Sequence, residues 1–238
     1  MAQEPRTGRL DGPERPGAAL SPTTAFFIVL EGGDGSGKST QARALAGALR
    51  SRGLDAVLTQ EPAGTPLGKL IKGIFERGHS DEGAPPLSAR TELFLFEAAR
   101  SDHVRTVIRP ALEAGCVVVC DRFTDSTLAY QGYGRGLPLE EVRRLNSIAT
   151  EGLTPDLVLL FDVAPEAGLA RADAGAEKKR DSIGQESLDF HHRVRDGFLE
   201  IARAGGSRYV VVDSTRPAAE VSREALEVVL ERLKRTDS

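Results

Sequence analysis

The run Gly32-Gly33-Asp34-Gly35-Ser36-Gly37-Lys38-Ser39 fits the pattern G-x-x-x-x-G-K-[ST], and Thr40 follows it. Such a loop turns successive backbone N–H groups inward around phosphate oxygens, and the helix that starts after it adds partial positive charge. Lys38 is of the type that reaches β- and γ-phosphates, and the Ser39 hydroxyl is of the type that coordinates Mg2+. The chemistry is that of a nucleoside triphosphate site. By itself the loop does not separate a kinase from an NTPase switch or motor. A second set of reactive residues follows in Thr59-Gln60-Glu61-Pro62-Ala63-Gly64-Thr65, Phe94-Leu95-Phe96-Glu97-Ala98-Ala99-Arg100, Asp121-Arg122-Phe123 and Ser126-Thr127-Leu128-Ala129-Tyr130-Gln131-Gly132. Phe96 and Arg100 are spaced i, i+4, about 40° apart around a helix, so one ligand can touch both.

These residues need a frame. Phe26-Phe27-Ile28-Val29-Leu30, before the phosphate loop, is a continuous apolar run of strand length. That pattern predicts a strand buried on both faces. Further strands are predicted at Ala56–Thr59, Val117–Cys120, Leu157–Phe161 and Tyr209–Val212. Helices are predicted from about Lys38 to Arg50, Leu93 to Leu112, Pro138 to Gly152 and Ala218 to Lys234. Short apolar strands alternating with helices predict an α/β fold, a five-stranded parallel sheet with helices on both faces. Ligands in such sheets collect at the carboxyl ends of the strands, where every motif above falls.

The chain has 238 residues, 40% of them hydrophobic, with 31 Lys and Arg against 35 Asp and Glu. No basic excess points to nucleic acid, and no apolar run approaches the roughly 20 residues of a membrane span. The N-terminus lacks a basic segment followed by an apolar stretch, so no secretory signal is expected and the location expected is cytoplasmic. Cys116 and Cys120 stand four apart, about 13 Å along a strand and too far to bridge. His103, His191 and His192 are expected at the surface with no metal role. Residues 1–24 are rich in Pro and Gly without apolar periodicity and are predicted to be a disordered extension. Residues 25–238 are then one domain.

Taken in order, the quoted motifs resemble bacterial thymidylate kinase over roughly residues 25 to 235. The resemblance implies a P-loop NTPase fold with a short lid at about 172–187. It also implies ATP and dTMP as substrates, Mg2+ as cofactor and a homodimer. It implies that Phe96 stacks on the thymine ring and that Arg100, Thr127 and Gln131 contact the base. Tyr130 is implied beneath the sugar, Asp34 at its 3′-hydroxyl, and Arg122 and Lys72 at the acceptor phosphate. Glu61 is implied to organise waters, metal or neighbouring arginines, and Asp121 to orient the metal beside Ser39. The implied reaction needs no general base, because the acceptor is already an anion; Lys38, Arg122 and a lid arginine supply positive charge.

The match departs from the family near the phosphates. Relatives carry an arginine where Ser182 stands and an acid where Gly184 stands, and some carry a loop arginine where Gly35 stands. Arg180 is the candidate replacement. Lys72 and Gln60 also occupy positions where arginine is usual. A kinase for another pyrimidine monophosphate, and a nucleotide-binding protein with impaired turnover, therefore stay open as alternatives.

Overall fold

The computed structural model describes residues 25–77, 86–174 and 181–236. The expected N-terminal extension, the lid residues 175–180 and with them Arg180 lie outside the described residues. Five strands run parallel in the order β2-β3-β1-β4-β5: β1 Phe26–Glu31, β2 Ala56–Gln60, β3 Val117–Asp121, β4 Leu157–Asp162 and β5 Tyr209–Asp213. Central β1 is buried at every position. Its alternation divides the core, since side chains at i and i+2 share a face. Phe26, Ile28 and Leu30 pack with Leu45 and Leu49, Val229 and Leu233; Phe27 and Val29 pack with Val104, Ile108 and Phe123. Each such fully buried side chain contributes about 1.5–3 kcal/mol over exposure.

The helices are α1 Lys38–Arg50, α2 Pro66–Arg77, α3 Ala89–His103, α4 Arg109–Glu113, α5 Thr124–Thr127, α6 Leu139–Thr150, α7 Pro165–Ala174, α8 Leu188–Gly205 and α9 Ala218–Thr236. Helices α2, α7 and α8 were not legible as elements in the sequence, and α2 and α8 prove to shape the site. The helix expected from Leu93 to Leu112 is interrupted by a π-helical turn at Val104–Ile108. Pro110 has no N–H to donate, and the wider turn accommodates its ring. A second π-helical stretch, Leu128–Gly134, carries Tyr130 and Gln131.

From β1 the chain crosses to β2 on one side of the sheet, and from β3 it crosses back over β1 to β4 on the other. A crevice therefore opens at the carboxyl ends of β1 and β3. The loops that leave those two strands are the phosphate loop and the segment beginning at Arg122. Among the described residues, no helix is long and apolar enough to cross a membrane. Cys116 and Cys120 are both free thiols.

Candidate active site at the carboxyl edge of the sheet

The phosphate loop needs glycine for conformation and for space. Gly35 has φ +68°, and a Cβ there would lie 1.8 Å from the carbonyl oxygen of Gly168 on α7. Conversely, a Cβ at Gly168 would lie 2.4 Å from the Asp34 carbonyl oxygen. Helix α7, which leads toward the lid residues, thus rests directly on the loop. Lys38 folds back into the loop, its Nζ donating to the Gly33 carbonyl at 2.7 Å and to Ser36 Oγ at 3.3 Å. Burial and the nearby Arg122 charge, opposed by Asp121, Asp34 and Glu31, pull its pKa down to about 8. Ser39 Oγ donates to Asp121 Oδ2 at 2.5 Å, while Asp121 Oδ1 is buried with no hydrogen-bond partner.

Arg122 follows β3 with φ +72°, an uncommon conformation for a side-chain-bearing residue, of the kind that clusters at functional sites. The turn is held by its own N–H, which donates to the Leu30 carbonyl, and by Glu31. Glu31 accepts from the N–H groups of Phe123 and Ser126 and from Ser126 Oγ. Burial and the neighbouring Asp125 carboxylate raise its pKa to about 8. So turned, Arg122 donates to Asp34 Oδ1 at 2.6 Å, to the Gly32 carbonyl at 3.2 Å and to Tyr130 Oη at 3.3 Å. Tyr130 donates to the same Asp34 oxygen at 3.0 Å. Burial pushes the Asp34 carboxyl up, but Arg122 and Lys38 outweigh it and hold the group below the usual carboxylate range.

Beside this centre lies a cavity of about 220 Å³, lined in part by Glu61, Lys72, Phe96, Arg100, Thr127 and Gln131. Phe75 of α2 stacks on Phe96 with ring centroids 4.6 Å apart and planes at 9°. Arg100 is only 2% exposed and donates to Glu61, Glu97, Thr127, Asn146 and the Phe123 carbonyl. Its fork therefore pins α3 to three other segments. Asp181 and Ile183 also line the cavity, and the Ser182 N–H donates to the Phe75 carbonyl. Residues 181–183, just after the undescribed lid residues, are thereby docked on α2.

A family model for thymidylate kinase matches residues 30–225. The chain is 50% identical to the thymidylate kinase of Synechococcus sp. (strain JA-2-3B'a(2-13)) over 208 residues, 87% of this chain and 96% of the relative. It is 48% identical to the thymidylate kinase of Desulfovibrio desulfuricans, covering 87% of this chain and 97% of that one. The crystal structure of thymidylate kinase from Ehrlichia chaffeensis superposes with a TM-score of 0.69 at 32% identity, over 87% of this chain and 99% of the other. The chain belongs to the thymidylate kinase family. Its α/β architecture is that of the thymidylate kinase structure, a P-loop NTPase fold.

Within this thymidylate kinase fold, the expected residues Asp34, Ser39, Glu61, Lys72, Phe96, Arg100, Asp121, Arg122, Thr127, Tyr130 and Gln131 all line one cavity. Lys38 reaches the centre through the adjoining loop. Lys72 pairs with Glu76 one turn along α2 at 3.4 Å. Two expectations about histidine are corrected. His103 is fully buried, with Nε2 2.6 Å from Thr59 Oγ1 and Nδ1 3.4 Å from Glu61 Oε1. It lies three residues after Arg100, on the same inward face of α3, and backs up the same glutamate. His191 is buried on α8 beside Phe190, whereas His192 is on the surface, as expected, 2.9 Å from Glu166.

Sequence reasoning missed Glu31, Phe75, Asp181, Asn146 and Glu92. Glu31 had a signal, being an acid at the end of a wholly apolar strand directly before the phosphate loop. The others have none, because each enters the site through contacts between distant segments.

Proposed function

We propose that the chain transfers the γ-phosphoryl group of ATP to the 5′-phosphate of dTMP, giving ADP and dTDP, with the roles that follow. One observation carries the reading: Lys38 and Arg122 are held on the carbonyls of consecutive loop residues, Gly33 and Gly32. Two cations from different strand ends thus meet at one point, beside a cavity of nucleobase dimensions. Lys38 and the N–H groups of residues 32–40 bind the ATP phosphates, and Arg122 holds the acceptor phosphate with its planar fork. Holding two anions in contact at a preorganised site supplies positioning and charge neutralisation. Asp34 and Tyr130 take the sugar, Phe96 the face of the base, and Thr127, Gln131 and Arg100 its edge. Lys72 supports the acceptor phosphate, and Arg180 supplies the lid charge over the γ-phosphate.

The Ser39 hydroxyl and the Asp121 carboxylate fit an Mg2+ ion. The support is the buried Oδ1 of Asp121, which has no hydrogen-bond partner although its second oxygen is bound by Ser39. Such an ion keeps several waters and needs only one or two protein ligands besides phosphate. When bound, it supplies charge neutralisation at the β- and γ-phosphates.

Residues 25–238 act as one domain, with the lid at about 172–187, in the cytoplasm. The working form is a homodimer. Its support is the exposed apolar side chains Leu67, Leu70 and Ile74 along α2, together with exposed Phe94 on α3, the helix that packs against α2. Sedimentation at micromolar concentration should give twice the 25.5 kDa chain mass, and a monomer there would overturn this assignment.

The phosphate-binding role of Lys38 has a calorimetric signature. With its pKa near 8, the ammonium is mostly neutral in the free protein at pH 8.5. A bound polyphosphate restores the charge, so MgATP binding at that pH should take up a large fraction of a proton. Affinity should fall as pH rises through about 8. Titrations in buffers of differing ionisation enthalpy measure the uptake, and its absence would show that the Lys38 ammonium is already charged before ATP binds.

A further inference from the structure

Gln131 borders the base cavity, yet one end of its side-chain amide is already committed. Its Nε2 donates to Glu92 Oε2 at 3.2 Å. Glu92 is buried on α3 behind Gln131 and outside the cavity lining. Arg135 grips it with both arms, Nε to Oε2 at 3.0 Å and Nη2 to Oε1 at 2.8 Å. Arg135 is itself fixed by Glu186 at 2.5 Å and by the Phe190 ring, 4.9 Å from its guanidinium carbon. A carboxylate in that grip offers only acceptors. The two ends of an amide are nearly isosteric, so its partners decide which way it faces.

We propose that the Glu92–Arg135 pair is a specificity device, forcing the Gln131 carbonyl oxygen toward the cavity so that the site accepts an N–H from the pyrimidine N3. Thymine and uracil carry that hydrogen. Cytosine has a lone pair at N3, and in the same place it would set two acceptors against each other. A buried polar group left unpaired in this way rejects the wrong base more strongly than shape alone does. Glu92 and Arg135 are positioning residues, since neither lines the cavity. This proposal rests on the reading that Gln131 meets the base.

The test compares kcat/KM for dTMP, dUMP and dCMP in the natural enzyme and in Glu92→Gln, whose neutral amide no longer dictates one orientation. The preference for dTMP over dCMP should fall about tenfold. The preference for dTMP over dUMP should stay constant, because both bases carry the N3 hydrogen. Partial unfolding lowers all three activities together and leaves both ratios unchanged. An unchanged dTMP-to-dCMP ratio in a folded variant, or a parallel change in both ratios, overturns the proposal. Should Glu92→Gln fail to fold, 15N spectra of the natural protein decide. The Gln131 side-chain amide resonance should move little when dTMP binds, and a large shift would mean that its NH2 faces the base. A natural enzyme with no preference for dTMP would show up in the first assay and refute the function itself.

Discussion

Replacing Arg122 with alanine should lower kcat by about a thousandfold, the scale on which an arginine at a transferring phosphoryl group acts. In the free protein its fork spans Gly32, Asp34 and Tyr130, and Lys72, the other cation lining the cavity at the acceptor phosphate, has no planar fork to replace it. Arg122→Lys should recover only part of the loss, because an ammonium is a point charge without a planar fork. Arg122→Ala should also move a carboxylate. Burial raises the Asp34 pKa, and Arg122 leads the charges that hold it down. Without Arg122 that pKa rises, and the acid limb of the kcat/KM profile shifts to higher pH. Arg122→Gly separates catalysis from folding: it relieves the φ +72° conformation, so activity should collapse while the melting temperature holds. Steady-state kinetics with thermal melts measure both, and a kcat within tenfold of the natural enzyme would dismiss Arg122 from the reaction.

Arg100→Met should be the most damaging change to stability. The guanidinium is the counter-charge for Glu61 and Glu97, both buried, at 2.8 Å in each case. Removing one partner of a buried pair costs about 3–5 kcal/mol, or about 10 °C in melting temperature for a domain of this size. The deficit should depend on pH. Burial already raises the Glu97 pKa against the opposing charge of Arg100, and without that charge it rises further. A carboxyl whose folded pKa is raised contributes stability that is complete below its unfolded value and lost as pH rises through the folded one. The variant should therefore approach the natural protein near pH 4.5 and fall furthest behind at pH 8. Paired melts at the two values check this, and an equal deficit at both would show that the carboxylates are not responsible.

The frame and most of the site were legible in the sequence, for local reasons. Continuous apolar runs dictate strands, and all five predicted strands are present and parallel, with β1, β3 and β4 buried on both faces. The phosphate loop needs only its own glycines, lysine and hydroxyl, and Asp121-Arg122 sits at a strand end, where such sheets place their chemistry. The helix around Arg100 was legible, but not its interruption after His103 by a π-helical turn at Val104–Ile108, just before Pro110 and its missing N–H.

What the tertiary structure alone decided is how these side chains are occupied. His103 looked like a surface residue because nothing nearby in the chain reveals that Thr59 and Glu61 lie against its face of α3. Arg100 presented itself as a base-binding group, and the fold gives it a second task as the counter-charge for two buried glutamates. Phe75 reaches Phe96 from a helix the sequence did not announce, and Glu186 reaches Arg135 from the end of the lid. The physical reason is common to all of them. Propensity and periodicity act over one or two turns of chain, so the sequence by itself determines the elements and the loop that binds phosphate. Bonds such as Arg100 to Asn146 and Arg122 to Asp34, 46 and 88 positions apart, exist only once packing has brought their partners together, and such bonds set the orientation and charge of the groups in the site.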